Sequence, residues 1–312
     1  ADFSFSKQRP YDIKICNKLL REYDWDKFLK QVEYEKIYTK GNNVDYLVFE
    51  IECISQYINV IMFYRFVLAY LCILFISHKK LWADNFKDEF LLMLAGLTGG
   101  TLYFIAENTA LEITQASNVA LLVCTTPLFT ALLAHLLYKE PLRKRMLIGS
   151  LIALVGVGLV VFSGSVLLQI NPLGDFLSIV AAFMWAIYCI VLKPLGNRYA
   201  TSFITRKVFF YGIISLLLYF LFDPLVVKTD ILLQPVVSFN LLFLAVVASM
   251  LCFIAWNAAV KVLGPSQTAN YIYAQPMSTL ILSAIILSEV ITITSLIGAV
   301  CIIGGIYLAE KH

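Results

Sequence analysis

Charge is scarce in this sequence. Of its 312 residues 14% are Asp, Glu, Lys or Arg, whereas a soluble domain carries about 25%. With 60% hydrophobic residues and a mean hydropathy of +0.80, that shortage excludes a soluble globular domain and points to a polytopic membrane protein. Seven cysteines are present, but none forms a Cys-x-x-Cys pair and most lie inside apolar runs. A disulfide framework and a metal site are therefore not expected; each cysteine reads as a small buried hydrophobe. No glycine loop that would cradle phosphate, no ATP motif and no nucleophile–base constellation occurs, so an enzyme or an ATP-driven pump has no positive support and no cofactor is expected. A net charge of +3 gives no reason to expect nucleic acid as a partner. No apolar run follows a basic start, so no secretory signal peptide is visible.

Long apolar runs are what the chain has. Nine segments reach the ~20 residues needed to cross about 30 Å of hydrocarbon. They lie near 57–77, 90–111, 117–138, 145–163, 175–195, 206–226, 240–261, 266–288 and 292–309. Their connections are short, so neighbours run antiparallel. One set of connections holds Lys79, Lys80, Lys87, Lys139, Arg143, Lys144, Arg145, Lys193, Arg198, Arg206, Lys207, Lys261 and Lys311; the other holds only Lys228. The positive-inside rule puts the first set, and the C-terminus, in the cytoplasm. Tyr, Phe and Trp near helix ends fit interfacial anchors.

The chain also repeats itself. Residues 102–160 superpose on 251–309 at a constant offset of 149 positions without a gap, pairing Phe104 with Phe253, Asn108 with Asn257, Ser117 with Ser266, Pro127 with Pro276, Glu140 with Glu289, Gly149 with Gly298 and Gly156 with Gly305. Two units of one ancestry would lie inverted in the membrane if each had an odd number of spans. Inverted repeats are the usual build of secondary transporters. The same offset maps span 175–195 onto 26–46, which is polar; residues 1–55 carry nine basic and ten acidic residues. Charges in a helix centre each cost roughly 2.5–3.5 kcal/mol, so residues 1–55 are expected to lie outside the bilayer. They would stand as a polar segment where a first helix is missing or replaced, in a processed or partial chain. Spans that would touch that helix are then expected to expose small or polar faces, or to recruit another chain.

Blocks over residues 57–309 carry a family likeness: FYRFVLAY (63–70), AENTALEITQASNVALL (106–122), TPLFTALLAHLLYKEPLRKRMLIGSLIALVGVGLVV (126–161), GDFLSIVAAFMWAIYCIVLK (174–193) and PSQTANYIYAQPMSTLILSAIILSEVITITSLIGAVCIIGGIYLA (265–309). Taken together they resemble the drug/metabolite transporter superfamily, and within it the EamA-like permeases. The resemblance implies an all-α fold of ten helices in two inverted five-helix repeats with both termini cytoplasmic. Nine helices are recognisable here: a first repeat over 56–164 with four spans and a second over 174–310 with five. The first helix lines the central cavity in that family, so the likeness leaves the activity of a nine-helix chain open.

Several residues are candidates for the cavity. Glu107 lies deep in a span, where a carboxylate is costly and faces a cavity or a partner; the structural alternative is contact with headgroup water. Tyr103 is four residues earlier and shares its face, with Gly99 and Gly100 beside it. Arg65, whose repeat mate is the apolar Ile214, would offer a guanidinium fork to a carboxylate or phosphate, or snorkel to the interface. Pro127 and Pro276 would kink matched helices, with Asn118 and Thr126 near the first and Tyr271 and Gln275 near the second. Trp185, Tyr188 and Trp256 would hold an apolar or cationic solute, or simply pack. Gly149, Ala153, Gly156 and Gly158, mirrored by Gly298, Gly304 and Gly305, read as close-packing stripes. Glu140 and Glu289 read as end charges and His135 as a packing residue.

These observations lead to a secondary carrier of the bacterial inner membrane that exports small metabolites, amino-acid-like solutes or drugs by alternating access. Proton coupling through Glu107 and a homodimer are further expectations. The alternatives are a nucleotide-sugar or phosphate-ester exchanger, which would want more cations than Arg65 and Lys193 facing the cavity, and a degenerate, non-transporting membrane protein.

Overall fold

The structure, a computed structural model, describes residues 44–78, 81–162, 171–221, 235–286 and 291–310. Residues 1–57 and 58–312 form separate compact units, and the packing below is that of the second. Among the described residues there are helices and no strands. The spanning segments are α1 (Val44–Ile76), α2 (Phe86–Ile113), α3 (Ala116–Tyr138), α4 (Lys144–Val161), α5 (Pro172–Gly196), α6 (Thr201–Tyr219), α7 (Val237–Leu263) and α9 (Ile293–Glu310), with α8 built from Pro265–Asn270, Tyr271–Tyr273 and Ala274–Ile286. Eight of these are long and apolar enough to cross a membrane as single helices. The protein is an all-α polytopic membrane protein.

Local sequence sets the ends. Asn85 caps α2 by accepting from the backbone N–H of Asp88 at 2.8 Å, with Asp88 and Glu89 in the positive first turn. Asn171 caps α5 in the same way through Gly174, ahead of Pro172 at the start of the helix. Gly264, at φ +84°, closes α7 in a conformation that costs a side-chain-bearing residue strain, and Pro265 follows. One boundary differs from expectation. α1 begins at Val44 rather than near 57, because no Pro or Gly interrupts the chain between Asn43 and Ile76; its apolar span is Ile58–Ile76. Residues 1–43, where most of the polar N-terminal segment falls, lie outside the described residues, as do Lys79, Lys80, Lys228, Glu289 and Lys311.

The matched prolines break helices rather than kink them. α3 halts at Val123 and restarts at Thr126 with Pro127 in its first turn; α8 passes through a 3-10 turn, Tyr271–Tyr273, before Ala274 and Pro276. Proline tolerates the first turn of a helix because its missing N–H would have no partner there. The Val123 carbonyl accepts from the Thr126 hydroxyl at 2.7 Å. α2 and α7 each contain a π-helical stretch, Leu97–Leu102 and Leu244–Leu251, ending at repeat-equivalent positions. Such stretches appear frequently at functional sites.

The packing displays the inversion. A Cβ on Gly149 would lie 2.5 Å from the Gly305 carbonyl oxygen, and one on Gly156 would lie 2.6 Å from that of Gly298. The start of α4 therefore meets the end of α9, so two helices related by the repeat cross antiparallel. Gly158 and Gly304 take no part: the first has one neighbour at 3.9 Å and the second none within 4 Å. Elsewhere an aromatic core joins α1, α6 and α7 through Phe66, Phe209 and Phe253, with ring centroids 5.2 Å apart at each step.

Several basic residues counted above as loop charges are internal. Arg206 and Lys207 lie within α6 at 2% and 3% exposure. Lys207 pairs with Glu89 of α2 and lies 4.1 Å from the Trp82 ring; Arg206 donates to the Ser77 carbonyl. Arg198 bonds Asp88 at 2.6 Å, and Lys193 bonds Glu140 at 2.5 Å. Each of these three ion pairs joins an acid of the first repeat to a base of the second.

Candidate functional site

A cavity of about 490 Å³ lies between α2, α3, α5, α7 and α8. Its walls obey the repeat. Tyr103 and Cys252, Phe104 and Phe253, Glu107 and Trp256, Val123 and Ile272, and Thr126 and Gln275 all line it, and each pair is separated by 149 positions. The cavity therefore straddles the pseudo-two-fold axis. The π-helical stretches of α2 and α7 end immediately before Tyr103 and Cys252, and the breaks in α3 and α8 lie beside Val123, Thr126, Ile272 and Gln275. Irregular backbone at membrane depth is tolerated where it lines a cavity.

The chemistry of the walls is not symmetric. Tyr103 donates to Glu107 Oε1 at 2.9 Å, which leaves the second carboxylate oxygen without a bond from that partner. Facing positions in the second repeat carry Cys252 and Trp256 instead. Trp185 of α5 is the hub of an aromatic wall, with ring centroids 4.9 Å from Tyr103, 5.7 Å from Phe253 and 5.6 Å from Trp256. Glu107 is the one ionisable carboxylate in the lining, and no Lys or Arg lines it.

Of the residues expected in the cavity, Glu107, Tyr103, Thr126, Trp185, Trp256, Tyr271 and Gln275 line it, and Arg65, Asn118 and Tyr188 do not. Arg65 lies one layer behind the wall: its guanidinium carbon is 4.4 Å from the centroid of Phe104, and its buried Nε has no hydrogen-bond partner. Asn118 is buried and donates to Asp175 Oδ1 at 3.4 Å, helping to tie α3 to the start of α5. Tyr188 is fully buried; its hydroxyl donates to Asn257 Oδ1 at 2.6 Å, and Asn257 donates to Thr205 Oγ1 at 2.8 Å. A Cβ on Gly99 would meet the Tyr188 ring at 2.5 Å, and Gly100 faces Gly212 and Phe66. The two glycines beside Tyr103 thus pack against neighbouring helices and do not line the cavity.

The lining also contains Phe104, Ala248, Cys252, Phe253 and Ser278, none of which was singled out from sequence. The repeat holds the missing signal for Cys252, the mate of Tyr103; Phe104 and Phe253 were visible as a matched pair but look like ordinary packing residues. Among the described residues no group of three His, Cys, Asp or Glu is placed to hold a metal ion.

The second repeat exposes faces that the first repeat covers. Thr126 and Thr130 are fully buried, whereas their mates Gln275 and Thr279 are exposed, as is Ser278. The first repeat is covered by α5 of the second, which packs against α2 and α3. Ser278 and Thr279 satisfy their hydroxyls on the carbonyls of Ala274 and Gln275, at 3.1 Å each, which lowers the cost of that exposure.

Comparison with known proteins matches this architecture. Residues 53–162 and 172–310 match the EamA-like transporter family. An uncharacterized transporter of Archaeoglobus fulgidus is 29% identical over 80% of this chain and 87% of its own length. A probable amino-acid metabolite efflux pump of Salmonella typhimurium is 28% identical over 78% of this chain and 82% of its own length. The aromatic amino acid exporter YddG of Escherichia coli is 27% identical over 67% and 74%. The crystal structure of another protein superposes with a TM-score of 0.67 at 17% identity, covering 81% of this chain and 87% of its own, and shows the same fold. This chain belongs to the EamA-like transporter family and is an integral membrane transporter, not an enzyme.

Proposed function

We propose that this protein is a secondary carrier of the plasma membrane that exports a small metabolite or amino-acid-like solute by alternating access. The observation that carries this reading is the cavity lined by repeat-equivalent residues of two inverted repeats. A site on the pseudo-two-fold axis is the place about which rocking of one repeat against the other exchanges access between the two sides. The exporters of S. typhimurium and E. coli support the direction and the solute class. The charge asymmetry of the connections supports a cytoplasmic C-terminus. Glu107 would be the group through which a proton is coupled, being the lone carboxylate of the wall.

A phosphate-ester or nucleotide-sugar exchanger fits less well, because neither Arg65 nor Lys193 lines the cavity and Lys193 is paired with Glu140. The exposed polar face of Gln275, Ser278 and Thr279 favours one second reading, a relative that does not transport unaided. Solute flux into proteoliposomes separates the two. A carrier moves amino-acid-like solutes above the rate of empty liposomes; a non-transporting relative does not, and flux that appears only when an apolar helix is fused ahead of α1 would show that α1–α9 need a further helix to transport.

A further inference from the structure

We propose that the connection between α3 and α4 holds the headgroup of an anionic phospholipid, an interaction that goes beyond the carrier reading and does not depend on it. Lys139, Arg143, Lys144 and Arg145 are crowded into this short connection and the start of α4, and all four are exposed. The one acid among them, Glu140, spends its oxygens on Lys193 at 2.5 Å and on Ser266 at 3.0 Å. The repeat mates of Arg143, Lys144 and Arg145 are Thr292, Ile293 and Thr294, so the crowding of charge is not a requirement of this helix connection. Clusters of Lys and Arg directly beside a spanning helix attract anionic headgroups.

The backbone at Lys139 sets this patch apart from an ordinary solvated loop. Lys139 ends α3 at φ +56°, and among the described residues it alone, glycine excepted, has a positive φ. That left-handed position after a helix is ordinarily taken by glycine, because a Cβ there crowds the backbone. A lysine held in it keeps a charge in place at a cost to stability. Lys144 and Arg145 stand in the first turn of α4, which has no acid, and cations there oppose the positive end of the helix dipole. In α2 that turn carries Asp88 and Glu89 instead. Both features are unfavourable for the chain alone and are offset once an anion lies among the four cations.

Depth identifies the anion as a lipid. Leu136 and Leu137, just before Lys139, are each 64% exposed, and Ile148, just after Arg145, is 51% exposed. At about 1.5 Å per residue these side chains lie roughly one turn or less from the cations. On helices that cross the membrane, such apolar surface faces acyl chains. Lys and Arg at that edge lay their stems along the lipid and place their charges among the headgroups. A phospholipid meets both parts of the patch, its phosphate the cations and its chains the leucines; a soluble phosphate meets only the first.

Native mass spectrometry of the full chain, taken from micelles holding equal phosphatidylglycerol and phosphatidylcholine, measures which lipid is retained. The wild type should retain phosphatidylglycerol over phosphatidylcholine by about tenfold or more, and each cation removed should lower that ratio by about fivefold at most. Lys139→Gly removes a charge and relieves the backbone at once. It should lower the ratio without lowering the thermal midpoint in phosphatidylcholine nanodiscs, so loss of fold does not obscure the result. Lys144→Gln with Arg145→Gln should bring the ratio near parity. Lys87→Gln with Lys261→Gln, which removes the same charge elsewhere, should leave it unchanged. Equal retention of the two lipids by the wild type, an unchanged ratio in Lys139→Gly, or an equal fall in both double variants overturns the proposal. So does displacement of phosphatidylglycerol when inorganic phosphate replaces chloride at matched ionic strength, which would assign a soluble anion to the patch.

Discussion

Gly149 and Gly305 meet so closely that a Cβ built on either would stand 2.5 Å from the other's carbonyl oxygen. Their positions in the repeat are not equivalent: Gly149 corresponds to Gly298 and Gly305 to Gly156. The contact is therefore a crossed one, and its partner contact between Gly156 and Gly298 is its symmetry image. A crossed pair of this kind forms only when the two copies run in opposite directions. Without a hydrophobic drive between helices in lipid, such close backbone approach is what holds α4 to α9.

Gly149→Leu or Gly305→Leu should separate α4 from α9 and destabilise the protein by about 1–3 kcal/mol or more, as overpacking does. Gly304→Leu, with no neighbour within 4 Å of its Cβ, should be close to neutral. Thermal unfolding in detergent, followed by size-exclusion chromatography, measures the contrast. Equal loss at all three positions would contradict the packing described.

Buried Lys207 of α6 pairs with the partly exposed Glu89 of α2, side-chain exposures 4% and 16%, and Tyr211 and the Ala83 N–H also donate to Glu89. Removing Lys207 leaves Glu89 with only its neutral donors, and Lys207→Ala should cost about 1–3 kcal/mol, less than breaking a fully buried pair. Lys207→Met with Glu89→Gln should recover much of that, because neither then leaves an uncompensated ion. Thermal midpoints of the two single variants and the double variant, compared as a cycle, show whether the loss comes from the stranded charge.

Glu140, at the end of the first repeat's α3 region, holds Lys193 of α5 at 2.5 Å and accepts from Ser266 of α8 at 3.0 Å. It was read from sequence as a simple end charge; it joins the two repeats. If the repeats rock, this clasp opens in each cycle. Glu140→Lys should slow solute flux strongly, and Glu140→Lys with Lys193→Glu should restore part of it. Flux measured in proteoliposomes at matched protein density tests this, with unaltered flux in Glu140→Lys as the contrary outcome.

Orientation is tested at Arg143, in the connection between α3 and α4. A cysteine placed there on a cysteine-free background should resist membrane-impermeant thiol reagents in intact cells and react once the membrane is opened. Rapid labelling in intact cells would invert the topology.

Much of this structure was legible in the residues. Apolar runs located the helices of the described residues and their order, because a 30 Å bilayer leaves few choices. The offset of 149 exposed the inverted repeat, and seven cavity residues followed from polar or aromatic side chains at membrane depth. Other features could not be read that way. Tyr188 and Asn118 look like pathway residues in one dimension, yet their hydrogen bonds are spent on Asn257 and Asp175. Arg206 and Lys207 look like loop charges because the partners that permit their burial, Ser77 and Glu89, are more than a hundred positions away. Phe104 and Phe253 look like core, since the same ring surface serves packing and cavity alike. The π-helical stretches in α2 and α7 leave no sequence mark beyond Gly99 and Gly100 in the first.

Cys252 offers the most direct test of the central claim that the repeat-related residues line one transport cavity. It is exposed, it lines the cavity opposite its repeat mate Tyr103, and it is a free thiol. Phenylalanine flux in proteoliposomes is measured before and after treatment with a small methanethiosulfonate reagent, with and without saturating phenylalanine. Modification is expected to block flux, phenylalanine to slow the modification, and Cys252→Ser to abolish the block relative to its own untreated rate. Full flux through protein shown by mass spectrometry to be modified at Cys252 would contradict the account.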